Sequence, residues 1–386
     1  MKKVWKVLSY VLVAVLASVS TLAAGAFAGD GQTVTKLDQL ADLIESRFIG
    51  EADRTEMEDA AASAMVASLG DRWSYYIAAE DYASHVEQMN NAYVGIGITI
   101  LAAEDESGIQ VIKVNEGGPA DEAGMLVGDL IVAVDSQRIT GMTTSEVKNL
   151  VRGEENTQVE ITVLRGTEEI PLSITRKQVQ TPVAVAAMLD DNVGLVTIAN
   201  FDKRCADETI AAIETLLEQG AEALVFDVRY NPGGYKDELV KVLDYLLPEG
   251  PLFRSEDYKG NVSVDESDAD CLEIPMAVLV NGDSYSAAEF FAAALREYGV
   301  AVVVGEQTCG KGYFQQTYQL SDGSAVGLSV GKYSTPNGVS LAEVGGLTPD
   351  IVVEVDEETA AQIYAATLDP AEDPQIQAAV EALQSK

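Results

Sequence analysis

Apolar residues recur at the spacing of a helix in the first quarter of the chain. Leu37, Leu40 and Leu43 fit one helical face, and a second series of this kind begins at Met57. The pattern predicts two or three helices in residues 29–91, with the lone histidine, His85, on the last of them.

Between residues 92 and 178 the pattern changes to short β-branched runs separated by glycine, aspartate and asparagine. Such runs predict the strands of a small, mostly β domain. The strands are predicted at residues 97–101, 108–114, 129–134, 158–164 and 170–175. One helix is predicted in this domain, over residues 144–151.

Residues 179–355 alternate apolar runs with helical patterns, which predicts an α/β domain. Strands are predicted at 193–198, 223–228, 276–280 and 300–304, and helices at 207–219, 236–247 and 287–298. The apolar runs are continuous, as in strands buried on both faces. In such a sheet a site is expected in the loops after the carboxyl ends of the strands. Residues 356–386 are acidic and alanine-rich, which predicts a solvated tail or a packing helix.

Composition excludes several classes of function. The 62 acidic and 25 basic residues give a net charge of −37, which would repel phosphate backbones and anionic lipids, so we expect no nucleic-acid partner. One histidine and three well-separated cysteines are too few for a zinc module. Because His85 would be the only imidazole available to a catalytic triad, a hydrolase with this sequence is expected to use another base. Cys205, Cys271 and Cys309 could form one pair and a free thiol, or stay unpaired.

The amino end has the form of an export signal. Lys2, Lys3 and Lys6 precede residues 7–28, which carry no charge. These 22 residues are long enough to span a hydrocarbon core of about 30 Å and to be retained as an anchor. The small-x-small end of the segment at residues 26–28 is instead typical of a cleavage site, which would release the protein. In both cases the rest of the chain is expected to work outside the cytoplasmic membrane.

The first of three candidate loops, residues 281–289, leads from a predicted strand into a predicted helix. Ser286 stands at the turn, where the partial positive charge of the helix amino end favours developing negative charge. Ser286 and Glu289 also have the spacing of a capping box, which is the simpler interpretation of this loop taken alone.

The second loop, residues 305–312, places Lys311 between two glycines, ahead of a strand-like run at 313–320. Residues of equal parity in a strand point the same way, so Lys311, Tyr313 and Gln315 could share a face. A free lysine has a pKa of about 10.4, but burial away from carboxylates can lower it and leave an amine able to take a serine proton. Gln315 could then hold the amine by a hydrogen bond. Taken alone, the pattern is that of a surface lysine in a glycine turn.

The third loop, residues 227–234, joins a predicted strand to a predicted helix. Gly233 and Gly234 allow main-chain amides to turn toward a reacting carbonyl, and the amide of Ala287 could supply a second donor. The loop lacks the Lys-Ser/Thr ending of a Walker-type phosphate loop. Taken alone, it is a glycine-rich turn.

Together the three loops resemble the C-terminal processing peptidases, also called tail-specific proteases. The matching motifs are Asp-Val-Arg-Tyr-Asn-Pro-Gly-Gly at 227–234, Ser-Tyr-Ser-Ala-Ala-Glu at 284–289, Gly-Lys-Gly at 310–312, Tyr-Ser-Thr-Pro at 333–336 and Gly-Leu-Thr-Pro-Asp-Ile at 346–351. The separation of 25 in residue number from Ser286 to Lys311 is also what the family shows. The resemblance implies that Ser286 is the nucleophile, Lys311 the general base and Gln315 its orienter.

The same resemblance implies an oxyanion hole formed by the amides of Ala287 and of either Gly233 or Gly234. It implies no metal or organic cofactor. One departure is Tyr285, where the family usually has a small residue and where the ring could narrow the pocket beside the nucleophile.

Residues 92–178 resemble a PDZ domain of the bacterial protease type, on the motifs at 93–98 and 117–131. In such a domain successive main-chain amides cradle the terminal carboxylate of a peptide, and the strand after them pairs with the peptide. The helix of residues 144–151 is expected to wall the groove. The amides in question are those of Val94, Gly95, Ile96 and Gly97.

Arg152 closes that helix, and the family often has Arg-Gly at this position. One interpretation is that Arg152 couples peptide binding to the active site through contact with the protease domain. The other is a solvated cation favoured by the dipole at the end of the helix.

The sequence therefore predicts an α+β multidomain protein. Its parts are a signal peptide or membrane anchor (1–28), an N-terminal helical region (29–91), a PDZ domain built as a small β-rich barrel with helices (92–178), an α/β protease core of the ClpP/crotonase-like type (179–355) and an acidic tail with a short helix (356–386).

The predicted function is that of an exported serine endopeptidase. Its PDZ domain would bind the unstructured carboxyl termini of protein or peptide substrates, and a Ser/Lys dyad would cleave them through an acyl-enzyme. Membrane contact is expected only through the N-terminal segment, and the oligomeric state stays open, a homo-oligomer included. The alternatives are a catalytically inactive PDZ scaffold on a protease fold and an enzyme that uses the same core on small acyl-thioesters.

Overall fold

The computed structural model of the chain describes residues 35–102, 108–115 and 117–385. The predicted export segment, residues 1–28, lies outside the described residues. Within the described part, no helix has both the length and the apolar character needed to cross a membrane. The chain divides into two compact units, Met1–Tyr76 and Ile77–Lys386.

The first unit contains two of the predicted helices, α1 (Lys36–Arg47) and α2 (Arg54–Ala67). Helix α1 begins with a capping box: the Thr35 hydroxyl accepts from the Asp38 amide at 3.2 Å, and the Asp38 carboxylate accepts from the Thr35 amide at 2.8 Å. Arg54, at the start of α2, pairs with Asp42 of α1 at 2.7 Å. The unit ends within the short strand β1 (Tyr75–Ile77).

Helix α3 (Ala79–Met89) is the third predicted helix, and it carries His85. It belongs to the second unit, where it packs on β2 (Ala92–Gly95). The predicted N-terminal helical region of residues 29–91 is therefore divided between the two units, because α3 packs against the strand that follows it.

The predicted β domain is present. Its further strands are β3 (Ile98–Ala102), β4 (Ile109–Val114), β5 (Leu130–Val134), β6 (Gln137–Arg138), β7 (Gln158–Arg165), β8 (Glu168–Thr175) and β9 (Lys177–Gln180), and its helices are α4 (Pro119–Glu122) and α5 (Thr144–Val151). The main sheet has the order β3-β4-β5-β7-β8, with β6 beside β5. Strands β2 and β9 form a separate antiparallel ribbon that leads the chain into and out of the domain. Among the described strands β3 pairs only with β4, so β3 is an edge strand, and α5 lies against it.

The remaining strands are β10 (Ala184–Met188), β11 (Val193–Ile198), β12 (Ala223–Asp227), β13 (Gly250–Asp257), β14 (Val262–Ser267), β15 (Met276–Val280), β16 (Ala301–Gly305), β17 (Tyr313–Gln319), β18 (Ala325–Ser334) and β19 (Ile351–Val352). Most of them build a central sheet of order β10-β11-β12-β15-β16-β19. From β11 to β19 the neighbours are parallel. The four strands predicted for this domain are the four at its centre, as their continuous apolar runs indicated.

The helices of this domain are α6 (Cys205–Glu218), α7 (Lys236–Leu246), α8 (Ala287–Glu297), α9 (Leu341–Val344), α10 (Glu357–Tyr364) and α11 (Pro374–Gln384), with 3-10 turns at Asp190–Asn192 and Pro370–Glu372. Helices α6, α7 and α8 share one apolar core with the sheet, in which Leu224 and Phe226 of β12 take part. The alternate residues of β12, Ala223 and Val225, pack in a second core with α11. The sheet is therefore buried on both faces.

The end of the chain belongs to this fold. Ile376, Ala379 and Leu383 of α11 are buried against the sheet, because the helix presents them on one face at a spacing of three and four residues. Of the two alternatives predicted for residues 356–386, the structure contains the packing helix and not the solvated tail.

A second sheet, formed antiparallel by β17, β18, β13 and β14, was only partly predicted. The sequence pattern indicated a strand at residues 313–320 and none at the positions of its partners. All three cysteines are free thiols. Burial raises the pKa of Cys205 to about 12, so this thiol stays protonated and unreactive.

Candidate active site

The three candidate loops lie side by side because the strands that precede them are neighbours. Strand β15 pairs with β12 on one side and with β16 on the other, all three parallel. Their carboxyl ends therefore meet at one edge of the sheet. The loop that carries Ser286 follows β15 and so lies between the glycine-rich loop after β12 and the Lys311 loop after β16.

Ser286 is the residue that caps α8, and its backbone is strained. Its φ is 60° and its ψ is −121°, whereas a capping residue normally has an extended backbone. The Ser286 amide donates to Glu289 Oε1 at 3.0 Å, which is one half of the predicted capping box. A strained non-glycine residue persists only where its surroundings hold it, and such residues concentrate at functional sites.

Glu289 joins the serine turn to the lysine loop. Its carboxylate is fully buried. Oε1 accepts from the amides of Ser286 and Lys311, at 3.0 and 2.7 Å, and Oε2 accepts from the Thr308 hydroxyl and the Gly310 amide, at 2.8 and 2.9 Å. Burial raises the pKa of Glu289, and the four donors oppose that shift. Sequence reasoning identified this residue only as a cap, because the partners from residues 308–311 are not local.

Lys311 is half-buried, and its Nζ lies 5.9 Å from the centroid of the Tyr285 ring. The Lys311 amine therefore faces the ring of Tyr285, the residue that precedes Ser286. Strand β17 begins only at Tyr313, so the alternation of a strand does not fix the direction of Lys311. The amide nitrogen of Gln315 donates to Ser329 Oγ at 3.0 Å and to the Tyr313 carbonyl at 3.1 Å.

Tyr333 is a member of this cluster that sequence reasoning did not select. Its hydroxyl donates to the Lys311 carbonyl at 2.6 Å and interacts with the Ser286 side chain. Burial raises the pKa of Tyr333 well above its usual value, so the phenol stays neutral. The signal was present in the motif at 333–336, but nothing in the sequence indicates that β18 brings this ring back to the serine.

Gly233 is in direct contact with the serine turn. Its φ is 89°, and a methyl group built on it would lie 2.7 Å from the Ser286 Cβ and 2.8 Å from the Ala287 nitrogen. The Gly233 amide donates to Asn231 Oδ1 at 2.8 Å. Gly234 has a φ of 150° and lies against the main chain of Phe201. Only glycine fits at these two positions, because both the conformation and the space exclude a side chain.

Ser284 ties the three loops to one another. Its hydroxyl donates to the Val228 carbonyl at 2.7 Å, in the first loop, and its carbonyl accepts from the Cys309 amide at 3.3 Å, in the last. The side chain is fully buried. The first serine of the Ser-Tyr-Ser motif is thus structural, while the second faces the glycine loop.

The residues predicted to bind a peptide lie in the β domain, away from these loops in sequence. Val94 and Gly95 belong to β2 and pair with β9. Ile96 is buried, and Gly97, with a φ of 79°, precedes the edge strand β3. The Ile96 carbonyl accepts from the amide of Ala120 at 2.9 Å, which fixes this turn against α4.

Arg152 lies at the end of α5, where its guanidinium is 3.7 Å from the carboxylate of Glu87 and 5.9 Å from the centroid of the Tyr93 ring. These two partners belong to α3 and β2, at the base of the β domain, and not to the protease core of residues 179–355 that the coupling interpretation expected Arg152 to contact. His85 lies on α3 as well, half-buried, and burial lowers its pKa.

Comparisons with known proteins place both domains in families. Residues 192–353 match peptidase family S41, and residues 110–165 match a PDZ domain. The chain is 31% identical over 325 residues to the carboxy-terminal processing protease CtpA of Bacillus subtilis, covering 83% of this chain and 69% of that one.

It is also 31% identical over 329 residues to a probable CtpA-like serine protease of Staphylococcus aureus strain N315, covering 84% of this chain. The chain spans 66% of the length of that relative. A putative S41 protease from Bacteroides fragilis has the same fold: the TM-score is 0.54 at 17% sequence identity, covering 90% of this chain and 97% of that one.

Proposed function

The chain belongs to peptidase family S41, among its carboxy-terminal processing serine proteases, and from this premise we propose that Ser286 and Lys311 form the catalytic dyad of an endopeptidase. The observation that carries the proposal is the shared contact to Glu289, which holds the serine turn and the lysine loop together through main-chain bonds. The strained backbone of Ser286 supports its role as the nucleophile.

In the first step the Ser286 oxygen attacks the carbonyl carbon of the scissile peptide bond. A C–O bond forms, the electron pair of the C=O bond moves to its oxygen, and the neutral Lys311 amine takes the hydroxyl proton. The amine must be neutral to do so, which requires that the site shield it from water. Tyr333 holds both partners, since its hydroxyl contacts the Ser286 side chain and the Lys311 carbonyl.

The tetrahedral oxyanion would be stabilised by two main-chain amides, those of Ala287 and Gly234. The first residue of a helix has no intrahelical partner for its N–H, so the Ala287 amide is available. Between the two glycines, the geometry supports Gly234, because the Gly233 amide already donates to Asn231 Oδ1. Gly233 then serves to let the loop pass close to Ser286.

Collapse of the intermediate breaks the C–N bond, and the Lys311 ammonium returns its proton to the leaving amine. The acyl-enzyme on Ser286 is hydrolysed when the neutral amine takes a proton from water and the resulting hydroxide attacks the ester carbon. This second tetrahedral intermediate collapses by breaking the bond between the carbon and the Ser286 oxygen, which takes the proton back from the Lys311 ammonium, so the cycle ends with a free carboxyl terminus and a serine hydroxyl. Gln315 would orient the amine, with its own amide nitrogen held by Ser329.

The PDZ domain would select substrates by their carboxyl ends. Strand β3 has an open edge among the described strands, and α5 lies beside it, which is the arrangement that accepts an added peptide strand. The main chain of residues 94–97 leads into that edge and would receive the terminal carboxylate. The uncharged segment of residues 7–28 supports a location outside the cytoplasmic membrane, anchored or secreted.

Cleavage of an unstructured peptide with a free carboxyl terminus tests this proposal. The purified protein should cut it at internal bonds, Ser286→Ala should not, and Ser263→Ala, at an exposed position on β14, should cut at the wild-type rate. The same peptide with a carboxyl-terminal amide should be cut more slowly. Binding of the peptide without cleavage by the wild type would instead identify a scaffold.

Arg152 is proposed to relay peptide binding from α5 to the base of the domain, through Glu87. Arg152→Ala should then lower the rate of cleavage while the affinity for the peptide, measured by fluorescence polarisation, stays nearly unchanged. Lys148→Ala, on the same helix, is the control. If Arg152→Ala cleaves at the wild-type rate, Arg152 is a solvated cation at the end of the helix and does not relay binding.

A further inference from the structure

The main chain of Phe201 holds Gly234 in place. The Phe201 amide donates to the Gly233 carbonyl at 2.8 Å, and the Tyr235 amide donates to the Phe201 carbonyl at 2.7 Å, so the two bonds bracket Gly234 in a parallel bridge. A methyl group built on Gly234 would lie 2.2 Å from the Phe201 oxygen. The direction of the Gly234 amide therefore depends on where Phe201 lies.

Phe201 is in turn flanked by a side-chain contact that reaches far across the sequence. Asn200 Oδ1 accepts from Asn91 Nδ2 at 2.7 Å, and Asn91 Oδ1 accepts from Asn200 Nδ2 at 3.1 Å. The two amides are thus joined by a reciprocal pair of hydrogen bonds. Asn200 Oδ1 also accepts from the Asp202 amide at 3.1 Å, which couples the side chain to the turn around Phe201.

Asn91 lies at the base of the β2–β9 ribbon that carries the PDZ domain. It is the residue before β2, and its carbonyl accepts from the amide of Thr181, the residue after β9, at 3.0 Å. The Thr181 carbonyl accepts from Arg204 Nη2 at 2.9 Å. Both strands of the ribbon therefore end on residues that contact the segment containing Phe201.

We infer that Asn200 is a positioning residue for the oxyanion hole: its amide pair with Asn91 links the base of the PDZ ribbon to Phe201 and, through Phe201, to Gly234. The inference rests on the proposed function for the role of Gly234. The amide pair itself is neutral and reciprocal, and Asn91 Nδ2 also donates to Asp202 Oδ2 over a longer distance of 3.4 Å.

Ion pairs also hold the segment that contains Phe201 in place. Asp202 is buried and pairs with Arg204 at 2.8 Å, and Arg204 also pairs with Glu208 of α6. Beside them, an open cleft of about 340 Å³ is lined by residues of α3, β9 and this segment, Arg204 and Gln178 among them. Loss of the amide pair should let Phe201 shift, and because these ion pairs remain, the domain should stay folded.

The test uses the full chain with Asn200→Ala, Asn91→Ala and the double variant. Asn261→Ala is the matched control, since that amide is exposed and bonds only within its own turn. Two quantities are measured: the kcat and KM for the peptide with a free carboxyl terminus, and the hydrogen–deuterium exchange of the Phe201 and Tyr235 amides. Exchange does not depend on catalysis.

We expect each single variant to lower kcat about tenfold, less than loss of an oxyanion donor, with KM unchanged. The double variant should be no worse than either single one, because the two amides act as a unit. Exchange at Phe201 and Tyr235 should accelerate in all three variants and stay at the wild-type rate in Asn261→Ala.

An active wild type with unchanged kcat in Asn200→Ala, or additive effects in the double variant, would overturn the inference and leave the proposed function intact. An inactive wild type would overturn the proposed function. With an inactive wild type, unchanged exchange at Phe201 and Tyr235 in the asparagine variants would also refute the connection from Asn91 to Phe201. Faster exchange would support that connection as a structural one.

Discussion

The main-chain amides of Ser286 and Lys311 donate to the same oxygen, Oε1 of Glu289. Neither contact involves the side chain of the serine or of the lysine. The separation between the two peptide units is therefore set by a buried carboxylate, and the two side chains are left for chemistry. This arrangement explains how Ser286 and Lys311, on loops that follow different strands, can be held at a fixed distance from each other.

Glu289→Gln should loosen this arrangement. The substitution replaces one acceptor oxygen with an NH2 group, which would face donors such as the Gly310 amide. A buried polar group left unsatisfied costs about 1–3 kcal/mol, so the free energy of unfolding should fall by about that amount. Because misplacement by about 1 Å can cost about 100-fold in rate, kcat should fall by a similar factor.

Chemical denaturation and initial rates measure the two effects, with the exposed Glu343→Gln as the control. A Glu289→Gln protein with wild-type kcat and stability would show that the shared carboxylate is dispensable.

The pKa of Glu289 adds a pH dependence of stability. Burial raises this pKa above its usual 4.5, so the folded state binds the proton more tightly than the unfolded chain does. Such a group contributes stability that is complete below pH 4.5 and is lost as the pH rises through the folded-state pKa. The stability of the wild type relative to Glu289→Gln should therefore increase as the pH is lowered from neutrality. A decrease in urea titrations over that range would contradict the direction of the shift.

Tyr333→Phe removes the hydroxyl that contacts both members of the proposed dyad. The Lys311 carbonyl would lose a donor at 2.6 Å, and the Ser286 side chain would lose its neighbour. We expect kcat to fall with KM nearly constant, since no part of a substrate site is removed. Because the phenol stays neutral, the shape of the kcat–pH profile should not change. Tyr258→Phe, on an exposed ring, should have no effect; a changed profile in Tyr333→Phe would mean that the phenol takes part in proton transfer.

Gly233→Ala should inactivate the enzyme by displacing the serine turn. The added methyl would lie 2.7 Å from the Ser286 Cβ and 2.9 Å from the Tyr285 carbonyl. Gly220 is a matched control, because its φ of 94° is as unfavourable for alanine but no atom lies within 4 Å of the added methyl. The left-handed backbone should cost both variants about 1–2 kcal/mol of stability, measured by denaturation. Only Gly233→Ala should lose cleavage, and equal kcat in the two variants would contradict the contact.

The edge of the sheet that carries the site could be predicted because the sequence features that indicate it lie within single strands and the loops that follow them. Continuous apolar runs marked β12, β15 and β16, and each ends where a loop with glycine, serine or lysine begins. Parallel strands then bring the loops to one edge without further information. The contacts that shape the site were not predictable in this way, since Glu289 contacts a loop about 20 residues away and Tyr333 returns on a later hairpin.

The amide pair of Asn91 and Asn200 shows the same limit. The two residues are 109 positions apart, and neither belongs to a motif that sequence reasoning selected. The strand alternation expected for Lys311, Tyr313 and Gln315 also does not extend to Lys311, because β17 starts after it. In β17 itself the pairing with β18 shifts between Phe314 and Gln315. Such irregularities depend on pairing, which the sequence of one strand does not contain.

Replacement of Lys311 by methionine measures the central claim most directly. Methionine is uncharged and of similar length, while the Lys311 main chain keeps its bonds to Glu289 and Tyr333. Loss of a positioned general base costs about 100- to 10,000-fold, so kcat should fall within that range in Lys311→Met, and equally in Lys311→Arg, which stays protonated. Denaturation midpoints should match the wild type. A folded Lys311→Met protein that cleaves the peptide at the wild-type rate would contradict the account.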